Sequence, residues 1–181
     1  MILYVLVIAA WLPVAVGSTG RARAWCALAA GLLLAAAVVV RVTADIDVDP
    51  GVLGLYAAML AVAGGSVVTT AVFHVIDEQS DEDADQSMEA AGRILRGGTW
   101  IGALERLAVF GSLAVGMPSG VALVLAVKGL GRYPELRSGD RPATAERFII
   151  GTLVSVLWAA VCAYVATGFA PAWFATSGIA G

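Results

Sequence analysis

The sequence predicts an all-α polytopic membrane helical bundle of six transmembrane helices, the fifth of them short or re-entrant, with the N-terminus outside. Its 181 residues are 60% apolar and 14% charged, whereas a soluble domain is nearer half apolar and a quarter charged. The mean hydropathy is +0.87, and successive windows approach the ~20 apolar residues that a membrane-crossing helix needs. This composition excludes a water-soluble domain, a disordered chain and a disulfide scaffold as leading interpretations.

Three apolar windows make up the predicted N-terminal membrane half, residues 1–76. The first, residues 2–16, is not preceded by the positively charged segment of a signal peptide. We therefore expect it to stay as the first span, with cleavage near Gly17 as the alternative. The second and third windows, residues 24–40 and 51–76, are separated by a short acidic loop.

An acidic segment, residues 77–97, follows the third window and is expected on the cytoplasmic side. It contains a possible short helix that Asp83 would cap, and a solvated linker is the alternative. The predicted C-terminal membrane half, residues 98–168, comes next. Residues 169–181 form a tail.

The C-terminal half divides into three further spans. The fourth span, residues 98–116, ends just before Pro118. Residues 119–133 contain fewer apolar side chains than a full span needs, which predicts a short, tilted or re-entrant fifth segment. The last span runs from about Ala145 to Gly168.

The basic residues orient these spans. With the N-terminus outside and six spans, every basic loop residue except Arg41 lies on the cytoplasmic side, in agreement with the positive-inside rule. Without the fifth span, Arg93 and Arg96 would lie on the opposite side from Arg137 and Arg141. The charge pattern therefore favours six spans.

Large and small side chains within the spans predict how the helices pack. Trp11 and Trp158 lie in the middle of spans, so we expect them to pack between helices. Small residues such as Gly64, Gly65 and Gly151 would let helix backbones approach closely.

Ionisable residues inside the spans mark a candidate binding site, because a charge inside a membrane is costly and is a functional candidate by default. The predicted topology brings them to the cytoplasmic end of four helices, and the main candidates are Glu105, Arg106, Lys128, Arg132, Glu146 and Arg147. The secondary candidates are His74, Asp77 and Glu135. Two crossed ion pairs are geometrically possible, namely Glu105 with Arg147 and Glu146 with Arg106.

Three interpretations of this cluster stay open. In the first, the Glu-Arg pairs form a structural network that fixes helix register. In the second, an excess of positive charge binds a phosphate, a carboxylate or an anionic lipid head group. In the third, Glu105 and His74 relay protons or ions.

Other chemistry has little support in the sequence. Motifs for nucleotide binding, serine hydrolysis or zinc proteolysis are absent. One histidine and two isolated cysteines, Cys26 and Cys162, do not suit a zinc site, and we interpret both cysteines as small buried hydrophobes. We expect no metal or other cofactor, and the net charge of −3 gives no reason to expect nucleic acid. The expected partners are membrane lipids and either a second copy of the chain or a larger membrane complex.

The charged and glycine positions of residues 98–160 also carry a resemblance. They are Gly98–Arg106, Gly116-Met-Pro118, Lys128, Arg132, Glu135 and Glu146–Ser155. This pattern resembles the C-terminal half of an uncharacterised family of small multi-pass membrane proteins from bacteria and phages, which carries a domain of unknown function. The resemblance implies a multi-pass protein of a bacterial plasma (inner) membrane and implies no reaction. The sequence departs from the family at Met117 and Ser119, where polar Gln and Glu are usual.

The leading expectation is an integral membrane protein that binds or transports an anionic lipid or small anion at the cytoplasmic-leaflet charged cluster. One alternative is a structural or accessory membrane subunit whose Glu-Arg pairs set helix packing. The other is a membrane-embedded enzyme that acts on a lipid-linked substrate, with Glu105 as its acid or base.

Overall fold

The computed structural model describes five stretches of the chain, residues 1–17, 23–44, 49–78, 96–137 and 142–168. These stretches contain helices and no strands, which confirms the prediction of an all-α protein. The helices are α1 (Ile2–Gly17), α2 (Arg23–Thr43), α3 (Pro50–Glu78), α4 (Arg96–Ala114), α5 (Ser119–Arg137) and α6 (Pro142–Thr167). Most of the acidic segment, including its predicted short helix, and the tail 169–181 lie outside the described residues.

Three of these helices are long and apolar enough to cross a membrane, which agrees with the prediction of a membrane protein. Their apolar segments are Ala24–Thr43 in α2, Gly51–Ile76 in α3 and Ala145–Thr167 in α6. The apolar segment of α1, Ile2–Val16, is shorter. The fifth segment, α5, is one helix of 19 residues and about 28 Å, without the break of a re-entrant loop in its described backbone. The count of six spans stays a prediction.

Asp49 fixes the start of α3. Its carboxylate oxygen Oδ1 accepts hydrogen bonds from the backbone N–H groups of Gly51 at 2.8 Å and Val52 at 3.4 Å. These N–H groups have no partner within the helix, and Pro50 occupies the first helical position, where a missing N–H has no cost. The Tyr4 hydroxyl donates to the Asp49 carbonyl oxygen at 3.1 Å, which ties the start of α1 to the start of α3.

A tight turn at Gly116 joins α4 to α5. The Met117 N–H donates to the Ser112 carbonyl oxygen at 2.8 Å, and the Gly116 N–H donates to the Leu113 carbonyl oxygen at 3.0 Å. This pair of bonds is a Schellman motif, and Gly116 has the left-handed φ of +73° that the motif requires. The predicted break between the fourth and fifth helices is confirmed at this position.

The central helix of the bundle is α3, which packs against α1, α2, α4 and α6. One hydrophobic core joins the two predicted halves, since its buried side chains come from all five of these helices. Many of them are alanines, such as Ala61 and Ala163, which allow close helix approach. In contrast, α5 packs chiefly along α4 and adds only the partly buried Val121 and Val124 to this core. Lys128 and Arg132 of α5 therefore lie at the edge of the bundle.

Arg41, the exception in the charge pattern, has a structural contact at the end of α6 that lies opposite to Arg147. A Cβ at Gly168 would lie 2.6 Å from its Nε, so the guanidinium of α2 lies against the end of α6. The C-terminal end of a helix carries unsatisfied carbonyl groups and a partial negative charge, which favour a nearby cation. This contact also shows that α2 and α6 end on the same side.

Candidate functional site

A notch in α3 forms at Gly64 and Gly65, where two successive side chains are missing. The Trp158 ring of α6 occupies it, and a Cβ at Gly64 would lie 2.6 Å from the ring atom Cζ2. The indole N–H of Trp158 donates to the Leu60 carbonyl oxygen at 3.1 Å. Trp158 is buried, which confirms the prediction that it packs between helices.

The same notch holds the side chain of Arg106 from α4. A Cβ at Gly65 would lie 2.8 Å from its Nε and closer still to its Cδ, so glycine is needed there. Nε donates to the Val62 carbonyl oxygen at 3.0 Å, and Nη2 donates to the Ser66 hydroxyl at 2.7 Å. Nη1 donates to the Ser155 hydroxyl at 3.4 Å. Arg106 is 6% exposed, and its hydrogen-bond acceptors within the described part of the chain are uncharged.

Arg106 lies near the middle of the bundle rather than at its end. Ser155 is close to the centre of the apolar segment Ala145–Thr167, and Val62 is close to the centre of Gly51–Ile76. Along α6, Ser155 lies about 12 Å from Arg147. Arg106 therefore bonds to α3 and α6 at a level well inside both apolar segments.

Three cations lie near the start of α6 and the end of α3. They are Lys128, Arg132 and Arg147, and we call them the basic end. Lys128 Nζ forms an ion pair with Glu105 Oε2, and the two side chains are 21% and 14% exposed. Lys128 Nζ and Arg132 Cζ each lie 5.7 Å from the centroid of the Phe148 ring. Two successive turns of α5 therefore bring a cation to the same ring of α6, in the distance range of a cation–π contact.

The remaining candidates divide between described and undescribed side chains. Arg147 lies over the Phe73 ring of α3, with Cζ 5.8 Å from its centroid. Glu146 and His74 are exposed near the start of α6 and the end of α3. Asp77 and Glu135 belong to α3 and α5, but their side chains lie outside the described set.

The structure gives Glu105 and Arg106 partners other than the predicted crossed ones. Glu105 pairs with Lys128 instead of Arg147, and Arg106 bonds to a carbonyl and hydroxyls instead of Glu146. The physical reason is that successive residues point about 100° apart around a helix. Glu105 therefore faces α5, whereas Arg106 faces the junction of α3 and α6.

No protein family model, curated protein or solved structure matches the chain. The resemblance of residues 98–160 to a bacterial and phage family therefore stays a proposal, and activity has to be argued from geometry. Among the described residues, no group of three or more His, Cys, Asp or Glu side chains is arranged to hold a metal ion.

Hydroxyl side chains of α3 and α6 lie between Arg106 and the basic end, where these two helices pack against each other. Ser66 and Thr69 lie one turn apart on α3, and Thr152 and Ser155 lie one turn apart on α6. Within the described residues, the oxygens Thr69 Oγ1 and Thr152 Oγ1 are buried and have no hydrogen-bond partner. We call these four hydroxyls and the Arg106 guanidinium the inner seam.

The sequence did not lead us to the inner seam or to Phe148 and Phe73, the two rings that the cations of the basic end contact. A signal was present, because Ser66 and Thr69, like Thr152 and Ser155, have the three-residue spacing of one helix face. The adjacent Gly64 and Gly65 also indicated a place where large side chains could enter. Neither signal names the partner helix, which only the folded structure supplies.

Proposed function

We propose that this chain is a six-span protein of a bacterial inner membrane, with its N-terminus outside, that binds an anionic lipid head group or a small anion at the basic end. The three apolar helices, the shorter apolar α1 and the charge pattern of the loops support the topology. A membrane-impermeant maleimide tests it in a chain without its native cysteines. Ser119→Cys should react from outside, whereas Ser87→Cys should react only after the membrane is opened.

The observation that carries the binding proposal is the placement of two cations at one aromatic ring. Lys128 and Arg132 each lie 5.7 Å from the Phe148 centroid at the outer edge of the bundle. The Lys128 ammonium is also paired with the Glu105 carboxylate. Guanidinium and ammonium groups that are held in place at a membrane boundary suit the oxygens of a phosphate or carboxylate.

Native mass spectrometry of the detergent-purified chain tests this proposal. The wild type should retain an anionic lipid or small anion that Lys128→Met loses, since the variant removes a positive charge from the ring. Arg41→Met is the matched control, because it removes a charge at the opposite end of the bundle. Equal retention by wild type and Lys128→Met would refute binding at the basic end, whereas loss in both variants would indicate a nonspecific effect of net charge.

A second candidate is a structural or accessory membrane subunit. It is favoured by Arg106, whose bonds join α4 to α3 and α6 within a single chain. In this case the charged residues serve packing, and the purified protein should carry a defined partner chain or oligomer in place of a lipid. Glu105→Gln should then leave any bound small molecule unchanged.

A further inference from the structure

The inner seam contains a positive charge whose described acceptors are all neutral. Arg106 donates to one carbonyl and two hydroxyls, and the adjacent carboxylate of Glu105 is already paired with Lys128. Charge interactions are strong in a low-dielectric interior. The Coulomb attraction between Arg106 and an anion in contact with it would therefore be stronger than at the protein surface, and for binding it has to exceed the cost of removing the anion from water.

The seam also holds hydrogen-bond donors without an acceptor. Thr152 is 9% exposed, and within the described residues neither its Oγ1 nor the buried Oγ1 of Thr69 has a hydrogen-bond partner. Each hydroxyl lies one helical turn from a serine that accepts a bond from Arg106. Since those serine oxygens act as acceptors, their own O–H groups can donate elsewhere. Several neutral donors and one cation thus converge on one region.

Steric contacts on both sides of these hydroxyls limit the size of a ligand. A Cβ at Gly151, beside Thr152, would lie 2.9 Å from the Phe73 ring and 3.7 Å from Thr69 Cγ2. On the other side, Arg106 fills the space above Gly65. A ligand between these contacts has to be small, and the positive charge of Arg106 disfavours a cation.

We propose that the inner seam binds a monovalent anion of halide size between Thr152 Oγ1 and the Arg106 guanidinium. This site lies deeper in the bundle than the basic end and uses different side chains, so it goes beyond the proposed function. Thr69, Ser66 and Ser155 supply the further donors.

Thermal unfolding of the purified full chain in detergent tests the site, with sodium chloride or bromide compared against sodium gluconate at constant ionic strength. A bound halide should raise the wild-type Tm by about 3 °C at ten times its Kd. Thr152→Val should lose this rise. In gluconate the same variant should be at least as stable as wild type, because it removes a buried hydroxyl that lacks a partner.

Two matched variants separate binding from general stability. Thr152→Ser keeps the hydroxyl and should keep the halide effect. Thr167→Val removes a hydroxyl of α6 that already bonds to the Ala163 carbonyl oxygen at 2.8 Å, so it should also keep the effect. Thr69→Val provides a second test of the same donors if Thr152→Val does not fold.

A wild-type Tm that does not depend on halide would overturn the proposal. The threonine hydroxyls would then bond to a buried water or to each other. An unchanged halide effect in both Thr152→Val and Thr69→Val would overturn it as well. Failure here is distinguishable from failure at the basic end, because lipid retention is read out separately with Lys128→Met. Thr152→Val leaves all three cations of the basic end in place.

Discussion

Gly65→Ala tests whether the notch in α3 is needed to hold Arg106. The new Cβ would lie 2.8 Å from Nε and closer to Cδ, whereas carbon atoms normally stay about 3.5–4.0 Å from their neighbours. The side chain would have to move by about 1 Å away from the α3 backbone. We expect this shift to break the bond from Nε to the Val62 carbonyl oxygen, now 3.0 Å long.

Two costs and one gain set the size of the effect. Loss of a hydrogen bond from a charged group costs about 1.5–3 kcal/mol, and the steric strain costs about 1–3 kcal/mol. Alanine is better than glycine in a helix by about 1 kcal/mol. The net loss in the free energy of unfolding is therefore about 3 kcal/mol.

Unfolding by SDS in mixed micelles, followed by circular dichroism, measures this loss. Gly54→Ala is the matched control on the same helix, because a Cβ at Gly54 has no atom within 4 Å, and it should unfold like wild type or slightly later. In an Arg106→Ala background, Gly65→Ala should cost less than about 1 kcal/mol, since the clashing side chain is gone. Equal stability of Gly65→Ala and Gly54→Ala would refute the reasoning.

Three further predictions use the same unfolding assay. Trp158→Phe removes the indole donor of a bond at 3.1 Å and should cost about 1–2 kcal/mol; a variant as stable as wild type would mean that the bond contributes nothing. Glu105→Gln and Lys128→Met should each cost about 1–2 kcal/mol, and the double variant should cost less than their sum because the two groups are paired; strict additivity would contradict the pairing. Gly116→Ala should lower the free energy of unfolding by about 1–2 kcal/mol, because alanine disfavours the φ of +73° at this position. Gly111→Ala is the control, since a Cβ there has no atom within 4 Å and should cause no loss. Equal effects of the two substitutions would argue against the left-handed turn.

The positions of the helices could be predicted from the sequence because apolar length and turn residues act locally. The Asp49-Pro50 pair and the Gly116–Pro118 segment fix helix ends through bonds to their own neighbours. The all-α class and the mid-bundle packing of Trp158 follow from composition and position alone. These features need no knowledge of how helices are arranged around one another.

The partners of the charged residues could not be predicted, because they depend on the rotation of each helix about its axis. A helix that is apolar on nearly every side gives no pattern that fixes this rotation. Glu105 and Arg106 are neighbours in sequence, yet one reaches α5 and the other reaches α3 and α6. The Arg106 side chain enters the notch of α3, a contact that its position in the sequence does not reveal.

The notch in α3 also sets an order of events during synthesis. Val62 and Arg106 are 44 residues apart, whereas Leu60 and Trp158 are 98 residues apart. At about 10 residues per second, Arg106 leaves the ribosome roughly 5 s before Trp158 does. During that interval Arg106 of α4 can already bond to the Val62 carbonyl oxygen, whereas the bond to the Leu60 carbonyl oxygen has to wait for Trp158 of α6. Packing of α6 against α3 is therefore the step that fills the notch completely.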